Sequence, residues 1–193
     1  MGRGGGPRPD LVVCGAALAA CEKAGAWEAA LRLFAELPQR GLGPNAVVCN
    51  TLVSACGKGQ QWERALQCLS EMQGLGIPRN VRTLGAAISA CGRGQQWARA
   101  VALLRGMWQE SLEVDVVHYS AAISACEKGQ ELDEALKLLR EMQASSVRAN
   151  AISYNAVISA CEKCRDWAQA LALLREMRRE AVSPTAVTYN AAI

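Results

Sequence analysis

Hydrophobic residues recur along the chain with the spacing of amphipathic helices, and the pattern is clearest in residues 116–150. A first apolar stripe has spacings i, i+3, i+4 and i+7 and consists of Tyr119, Ala122, Ile123 and Cys126. A second stripe follows a short polar interval and consists of Leu132, Ala135, Leu136, Leu138, Leu139 and Met142. Such spacings place each set on one face of a helix. The stretch therefore predicts one helix at about 119–128 and another at about 132–142.

The same two-helix pattern returns every 35 residues. Four series keep this step: Cys21, Cys56, Cys91, Cys126 and Cys161; Ala30, Ala65, Ala100, Ala135 and Ala170; Leu37, Met72, Met107, Met142 and Met177; and Trp27, Trp62, Trp97, Leu132 and Trp167. A fixed period of about 20 to 50 residues is typical of a stacked repeat array. Because a leucine stands among the tryptophans, we predict that this series packs rather than stacks on a ligand.

The period divides the chain into five complete repeats, 11–45, 46–80, 81–115, 116–150 and 151–185. Residues 1–10 look like the tail of a preceding repeat, and residues 186–193 look like the start of a sixth. We predict a single all-α array, because a repeat of this kind grows by adding units rather than domains. Neither end carries a polar capping helix, so we expect a piece of a longer array.

Residue types at the expected helix ends predict how each helix begins and stops. Hydroxyl residues near the starts of first helices are candidate N-caps, namely Thr83, Ser153 and Thr188. Glycines after a basic residue suit a left-handed C-terminal position, namely Gly59, Gly94 and Gly129, with Gly25 in the first repeat. In the fifth repeat Cys164 stands there, so another ending is expected. Pro44 and Pro184 predict loops after the second helices.

Composition limits the classes of function. The net charge is only +3, so any argument for an anionic partner depends on where the charges lie. The periodic cysteines suit packing in a reducing compartment better than disulfides. No apolar run is long enough for a membrane span, and we expect no membrane association. The single histidine, His118, and the lone Cys161-x-x-Cys164 pair predict no metal site, no cofactor and no catalytic constellation, so we expect no enzyme activity.

A basic residue stands two positions after every periodic cysteine. We call this set the cation row: Lys23, Lys58, Arg93, Lys128 and Lys163. One cation per repeat suits contact with a phosphate backbone. Cations also favour helix C-termini through the helix dipole, and the two interpretations are compatible.

The repeat resembles the pentatricopeptide repeat family. The resemblance rests on VTYNAAI, on ISYNAVISACEK, on the AL-x-LL-R-E-M pattern of the second helix, and on the constant 35-residue length, which is similar to the P-type. It covers essentially the whole chain. It implies a right-handed α-solenoid superhelix of helix-turn-helix repeats that binds single-stranded RNA, one base per repeat, read by two or three side chains.

By this resemblance, the fifth and last residues of each repeat select the base; we call them the reading pair. The pairs are Gly15 with Asn45, Asn50 with Asn80, Gly85 with Asp115, Ser120 with Asn150 and Asn155 with Thr185, and Asn190 would open a sixth. The resemblance assigns cytosine to Asn50/Asn80 and adenine to Ser120/Asn150. A carboxylate only accepts, so Asp115 favours U or G. The glycines and Thr185 depart from the family pattern, and an alternative is that the residues at repeat ends are turn or cap residues.

The second residue of each repeat wedges between neighbouring bases, again by resemblance. These wedge residues are Val12, Val47, Arg82, Val117, Ile152 and Val187. Arg82 can instead stack its guanidinium plane on a base. The alternative is ordinary packing between repeats.

The function expected from this resemblance is sequence-selective binding of single-stranded RNA by a monomer. The resemblance implies work in mitochondria or chloroplasts, in RNA processing, stability or translation, although no transit peptide is visible. The first helices are expected to line a concave groove. The alternative function is a protein-binding solenoid scaffold that uses the same groove for peptides.

Overall fold

The chain is helical throughout the part that its computed structural model describes, residues 11–191. The helices in chain order are α1 (Leu11–Ala24), α2 (Trp27–Gln39), α3 (Ala46–Lys58), α4 (Trp62–Gly74), α5 (Val81–Arg93), α6 (Trp97–Gln109), α7 (Val116–Gly129), α8 (Leu132–Ala144), α9 (Ala151–Lys163), α10 (Trp167–Arg179) and α11 (Ala186–Ala191). None of these described residues lies in a β-strand. The predicted class, an all-α array of helical hairpins, is confirmed.

The helices form two compact units, with the boundary between Ala90 and Cys91 inside α5. In the first unit, α1 packs on α2 and α3, and α3 packs on α2 and α4. In the second unit, α7 packs on α6, α8 and α9, and α9 packs on α8, α10 and α11. Within each unit a first helix therefore contacts its own second helix and the helices of adjacent repeats, as in a stacked array.

The periodic residues form the cores of both units. Four of the periodic cysteines are fully buried, and Cys21 is half-buried. Burial raises the pKa of Cys126 to about 12 and those of Cys91 and Cys161 to about 11, so these thiols are protonated at neutral pH. The prediction that the cysteines serve packing agrees with this burial. The alanine series and the leucine–methionine series are buried as well.

The first helices begin earlier than predicted, because the last residue of each repeat caps the next first helix. Asn45 Oδ1 accepts from the N–H of Val48 at 3.0 Å, and Asn150 Oδ1 accepts from that of Ser153 at 3.0 Å. The predicted caps Thr83, Ser153 and Thr188 are wrong. These three residues lie one turn inside their helices and are fully buried. Hydroxyl residues favour caps, but the polar residue three positions earlier takes that place, and it is Asn80, Asn150 or Thr185.

The prediction of left-handed glycines is wrong for most repeats. Gly59 has φ −77°, and the positive φ falls one residue later, at Gln60, Gln95 and Gln130. Gly25 does have a positive φ, as predicted, and the fifth repeat uses Arg165. The glycine is needed for a different reason. A Cβ at Gly129 would lie 2.5 Å from Cδ1 of Trp97, and one at Gly59 would collide with Trp27 in the same way.

Replacing Asn150 with alanine removes the oxygen that caps α9. We expect the free energy of unfolding to fall by about 1 kcal/mol, because the first turn loses a partner for a backbone N–H. Urea denaturation followed by circular dichroism measures this loss. Asn150→Asp is the matched control, since it keeps a capping oxygen and should remain within a few tenths of a kcal/mol of the parent chain. Equal losses in the two variants would contradict the capping role.

Candidate nucleic-acid interface

The structure brings the two members of a reading pair together in the second and fifth repeats. Asn50 Nδ2 lies 3.5 Å from Asn80 Oδ1, at the limit of a hydrogen bond. Asn155 Nδ2 donates to Thr185 Oγ1 at 3.2 Å. The members are 30 residues apart in sequence. They meet because the fifth residue lies one turn into a first helix, and the last residue lies at the start of the next first helix, beside it. Each such pair offers one small polar patch per repeat.

A third residue, which the sequence analysis did not assign to the site, joins these pairs. It is the third residue of the following repeat, which we call the bridging residue. Ser153 Oγ lies 2.8 Å from Ser120 Oγ and donates to Asn150 Oδ1 at 3.1 Å. Thr188 Oγ1 likewise donates to Asn155 Oδ1 at 2.5 Å. The buried hydroxyl thus holds the fifth and last residues in fixed positions.

The same arrangement occurs in the second repeat. Thr83 Oγ1 contacts Asn50 Oδ1 closely and lies 2.9 Å from Asn80 Oδ1. Its own N–H donates to Asn80 Oδ1 at 2.9 Å. The signal in the sequence is a Thr or Ser three positions after the cap in three of the repeats, at Thr83, Ser153 and Thr188, and the sequence alone predicts these residues as the caps.

Repeats with a glycine at the fifth position have a different bridging residue. After Gly15 and Asn45 it is Val48, which is buried and has no polar group. After Gly85 and Asp115 it is His118, whose Nδ1 lies 2.6 Å from Asp115 Oδ1. In this chain a hydroxyl bridging residue therefore accompanies a polar fifth residue, and a bridging residue without a hydroxyl accompanies glycine.

Capping fixes what each last residue presents to a ligand. The side-chain oxygens of Asn45, Asn80 and Asn150 accept from backbone N–H groups, which leaves the amide NH₂ as the available donor. One Asp115 oxygen accepts from the N–H groups of Val117 and His118 at 2.9 and 3.2 Å, and the carboxylate can still accept elsewhere. The alternative that these residues are caps is confirmed, and it leaves a distinct donor or acceptor free in each.

The wedge residues are exposed although most of them are large and apolar. The exposed fractions are 77% for Val12, 67% for Val47, 64% for Val117, 61% for Ile152 and 59% for Val187. Arg82 is exposed too. Packing between repeats does not explain residues that water contacts so fully. In every described repeat except the third, the second residue is thus an exposed apolar side chain.

A pocket in the first unit lies between two wedge residues. Val47 and Arg82 line it on two sides, Asn50 of a reading pair contributes a polar wall, and Glu22 and Ser54 complete it. Its volume is about 370 Å³. The pocket therefore combines side chains that can pack on the face of a base, those of Val47 and Arg82, with hydrogen-bonding groups. An unstacked base requires both kinds of contact.

The cation row is exposed in every repeat, but its members have different partners. Lys58 Nζ lies 2.9 Å from Glu22 Oε1, and Lys163 Nζ lies 2.5 Å from Glu127 Oε1. The hydrogen bond from Lys58 holds the pKa of Glu22 below its ordinary value, against the effect of burial. Lys23 and Lys128 form no ion pair with a described residue.

Other candidate chemistry is absent from the described residues. Within 11–191 no three His, Cys, Asp or Glu side chains are placed to hold a metal ion. In the same range, no helix has the length and apolar character needed to cross a bilayer. Trp27 and Trp97, at the starts of second helices, pack on glycines, which agrees with the predicted packing role. At Trp167 the prediction is wrong, because this residue is 72% exposed.

Stacked helical hairpins that return every 35 residues define an α-helical repeat protein. The PPR repeat family matches residues 44–93, 114–163 and 149–193, and the pentatricopeptide repeat domain matches residues 5–59. The chain belongs to the pentatricopeptide repeat family. No curated protein matches the sequence significantly.

Solved structures of the same family are similar over nearly the whole chain. The pentatricopeptide repeat protein PPR10 in complex with an 18-nt psaJ RNA element is 28% identical, with a TM-score of 0.81 over 95% of this chain and 27% of that one. PPR10 from maize has a TM-score of 0.73 at the same identity. This chain thus spans about a quarter of PPR10. The PPR domain of Arabidopsis thaliana protein-only RNase P 1, in complex with tRNA, is 17% identical and has a TM-score of 0.76. The match covers 90% of this chain and 91% of that one. At this identity the similarity supports the fold alone.

Proposed function

We propose that the chain binds single-stranded RNA along its first helices, with each repeat contacting one base. The observation that carries the proposal is the exposed apolar wedge residue of nearly every repeat, placed beside a polar reading pair. A base inserted next to Val47 would remove apolar surface from water on both sides, at about 25 cal/mol per Å². The complex of PPR10 with RNA, a relative at 28% identity, supports the same ligand.

The cap geometry gives a physical reason for base preference. Because Asn80 and Asn150 keep their NH₂ groups free, they suit bases with a ring-nitrogen acceptor, which are C and A. Because Asp115 can only accept, it suits bases with a ring N–H, which are U and G. The fifth residue then selects within each class, with Asn50 favouring C and Ser120 favouring A by family resemblance. The expected order is A or C, then C, then U or G, then A, followed by an unassigned base.

The proposed role of such binding is to protect RNA or to place a processing factor on it in an organelle. The strand runs 5′ to 3′ along the repeats from the N- to the C-terminus, by family resemblance. In this proposal any chemistry on the RNA comes from other proteins. The chain acts as a monomer in this proposal.

Fluorescence anisotropy with short single-stranded RNAs tests the proposal. One RNA carries C, U and A in the predicted order, and a matched RNA has the C and A exchanged. We expect salt-sensitive binding, with more than about tenfold tighter binding to the first RNA, since the exchange mismatches two repeats and each well-placed base contact provides about 1–3 kcal/mol of discrimination.

The outcomes separate the parts of the proposal. Equal, salt-sensitive binding to both RNAs would retain RNA as the ligand and refute the base preferences. A helical chain that binds neither RNA would refute the RNA function and favour a peptide as the ligand of this surface.

A further inference from the structure

We infer that the carboxylates of Glu22 and Glu127 neutralise two members of the cation row, so that Lys128, rather than Lys58 or Lys163, attracts the RNA backbone. The inference depends on the proposed RNA binding and concerns which residues provide its electrostatic part. A uniform row would give each repeat the same attraction for phosphate. The contacts of the row are not uniform.

The first neutralised pair lies at the surface where RNA is proposed to bind. Lys58 donates to Glu22 Oε1 at 2.9 Å, and Ser54 Oγ donates to the same oxygen at 2.8 Å. Glu22 also lines the pocket beside Val47 and Asn50. A phosphate that approached Lys58 would therefore meet a carboxylate as well as an ammonium group.

The second pair repeats this geometry in the second unit. Lys163 Nζ lies 2.5 Å from Glu127 Oε1 and also donates to the Glu127 backbone oxygen at 3.4 Å. The Glu127 side chain is 18% exposed and that of Lys163 is 39% exposed. In both pairs the lysine lies two positions after a periodic cysteine. The glutamate lies one position after the periodic cysteine of the preceding repeat.

Lys128 lacks such a partner because glycine replaces glutamate one repeat earlier. The residues that directly follow the periodic cysteines are Glu22, Gly57, Gly92, Glu127 and Glu162. Gly92 has no side chain, and Lys128 is exposed and forms no ion pair or hydrogen bond with a described residue. Its positive charge is therefore fully available to a ligand.

Counterion release explains why this difference matters. Counterions are condensed along the phosphates of a nucleic acid, and a free lysine that contacts a phosphate releases them. A lysine that is already paired with a carboxylate contributes no net charge, and the carboxylate repels a phosphate. Each free cation that contacts single-stranded RNA adds about 0.7 to the slope of log affinity against log salt.

The salt dependence of affinity, measured by anisotropy with a labelled single-stranded RNA and the full chain, tests this inference. We expect Lys128→Gln to reduce the slope by about 0.7, which is about threefold in affinity between about 50 and 200 mM salt. Lys163→Gln should leave the slope unchanged. Glu127→Gln should increase it by about 0.7, and the double variant Glu127→Gln/Lys163→Gln should return it to the parent value.

A matched control separates local neutralisation from net charge. Glu134→Gln changes the net charge as Glu127→Gln does, but Glu134 pairs with Arg105, and both lie on second helices. It should leave the slope unchanged. Equal reductions for Lys128→Gln and Lys163→Gln, with no gain for Glu127→Gln, would overturn the inference while RNA binding stands. Absence of salt-sensitive binding by the parent chain would overturn the proposed function and this inference together.

Discussion

Replacing Gly129 with alanine is expected to destabilise the chain by about 2 kcal/mol, although alanine is ordinarily the better helix residue. The added Cβ would lie 2.5 Å from Cδ1 and 3.0 Å from Cγ of Trp97, which is closer than carbon atoms pack. Overpacking of this kind costs about 1–3 kcal/mol. Urea denaturation followed by circular dichroism gives the change in free energy of unfolding.

The chain provides both a control and a compensating change. Gly106 lies inside α6 with open space around its Cα, so Gly106→Ala should stabilise the chain by roughly 0.5–1 kcal/mol. Trp97→Leu removes the clashing ring, so the double variant Gly129→Ala/Trp97→Leu should lose less stability than the two single losses added together. If Gly129→Ala stabilises the chain as Gly106→Ala does, the close approach is not a constraint.

The sequence already contains a natural version of this compensation. Trp27, Trp62 and Trp97 are each followed 32 residues later by a glycine, at Gly59, Gly94 and Gly129. In the fourth repeat Leu132 replaces the tryptophan. In the fifth repeat, 32 residues later, Cys164 replaces the glycine. A smaller residue at the start of a second helix thus accompanies a Cβ in the next repeat, as the Gly129 distances require.

Changing Asp115 to asparagine is expected to change the base preference of the third repeat from U or G to C or A. Burial opposes ionisation, but hydrogen bonds from the N–H groups of His118 and Val117 leave the pKa of Asp115 below its ordinary value. The carboxylate is therefore ionised at neutral pH and only accepts. Asparagine would present an NH₂ donor in its place. We expect the preference to change by tenfold or more, from about 1–3 kcal/mol per base contact.

This variant tests recognition without disturbing the fold. Asparagine caps the equivalent ends of α3 and α9, so α7 should keep its stability, as thermal denaturation would show. Anisotropy with RNAs that differ only at the third base measures the preference. Asn150→Asp should change the fourth repeat in the opposite direction. An unchanged base preference in both variants would refute the role of the last residue in base selection.

The fold could be predicted from the sequence because it depends on residues that repeat in register. The cysteine and alanine series report the core directly, since a buried face must return at the same helical position in every repeat. The wedge residues recur in the same register, their role comes from the family resemblance, and the structure shows them exposed rather than packed between repeats. Their base contacts stay a prediction.

The missed features are contacts between different positions of neighbouring repeats. Thr83 meets Asn50 at a separation of 33 residues, and Lys58 meets Glu22 at 36. A period of 35 aligns equivalent residues, so it does not show which unlike residues touch. The prediction of a turn glycine before Gln130 fails for the same reason, because the ring of Trp97 that excludes a side chain belongs to the preceding repeat.

The bridging residues have a consequence for rearranging such chains by recombination. A repeat exchanged at its sequence boundary, between Asn80 and Val81, would separate Asn80 and Asn50 from Thr83, which holds them both. A cassette that runs instead from the fourth residue of one repeat to the third of the next, such as 49–83, would carry its reading pair, its cap and its bridging hydroxyl as one inherited module. The unit that transfers a base preference is therefore offset by three residues from the unit that repeats in the sequence.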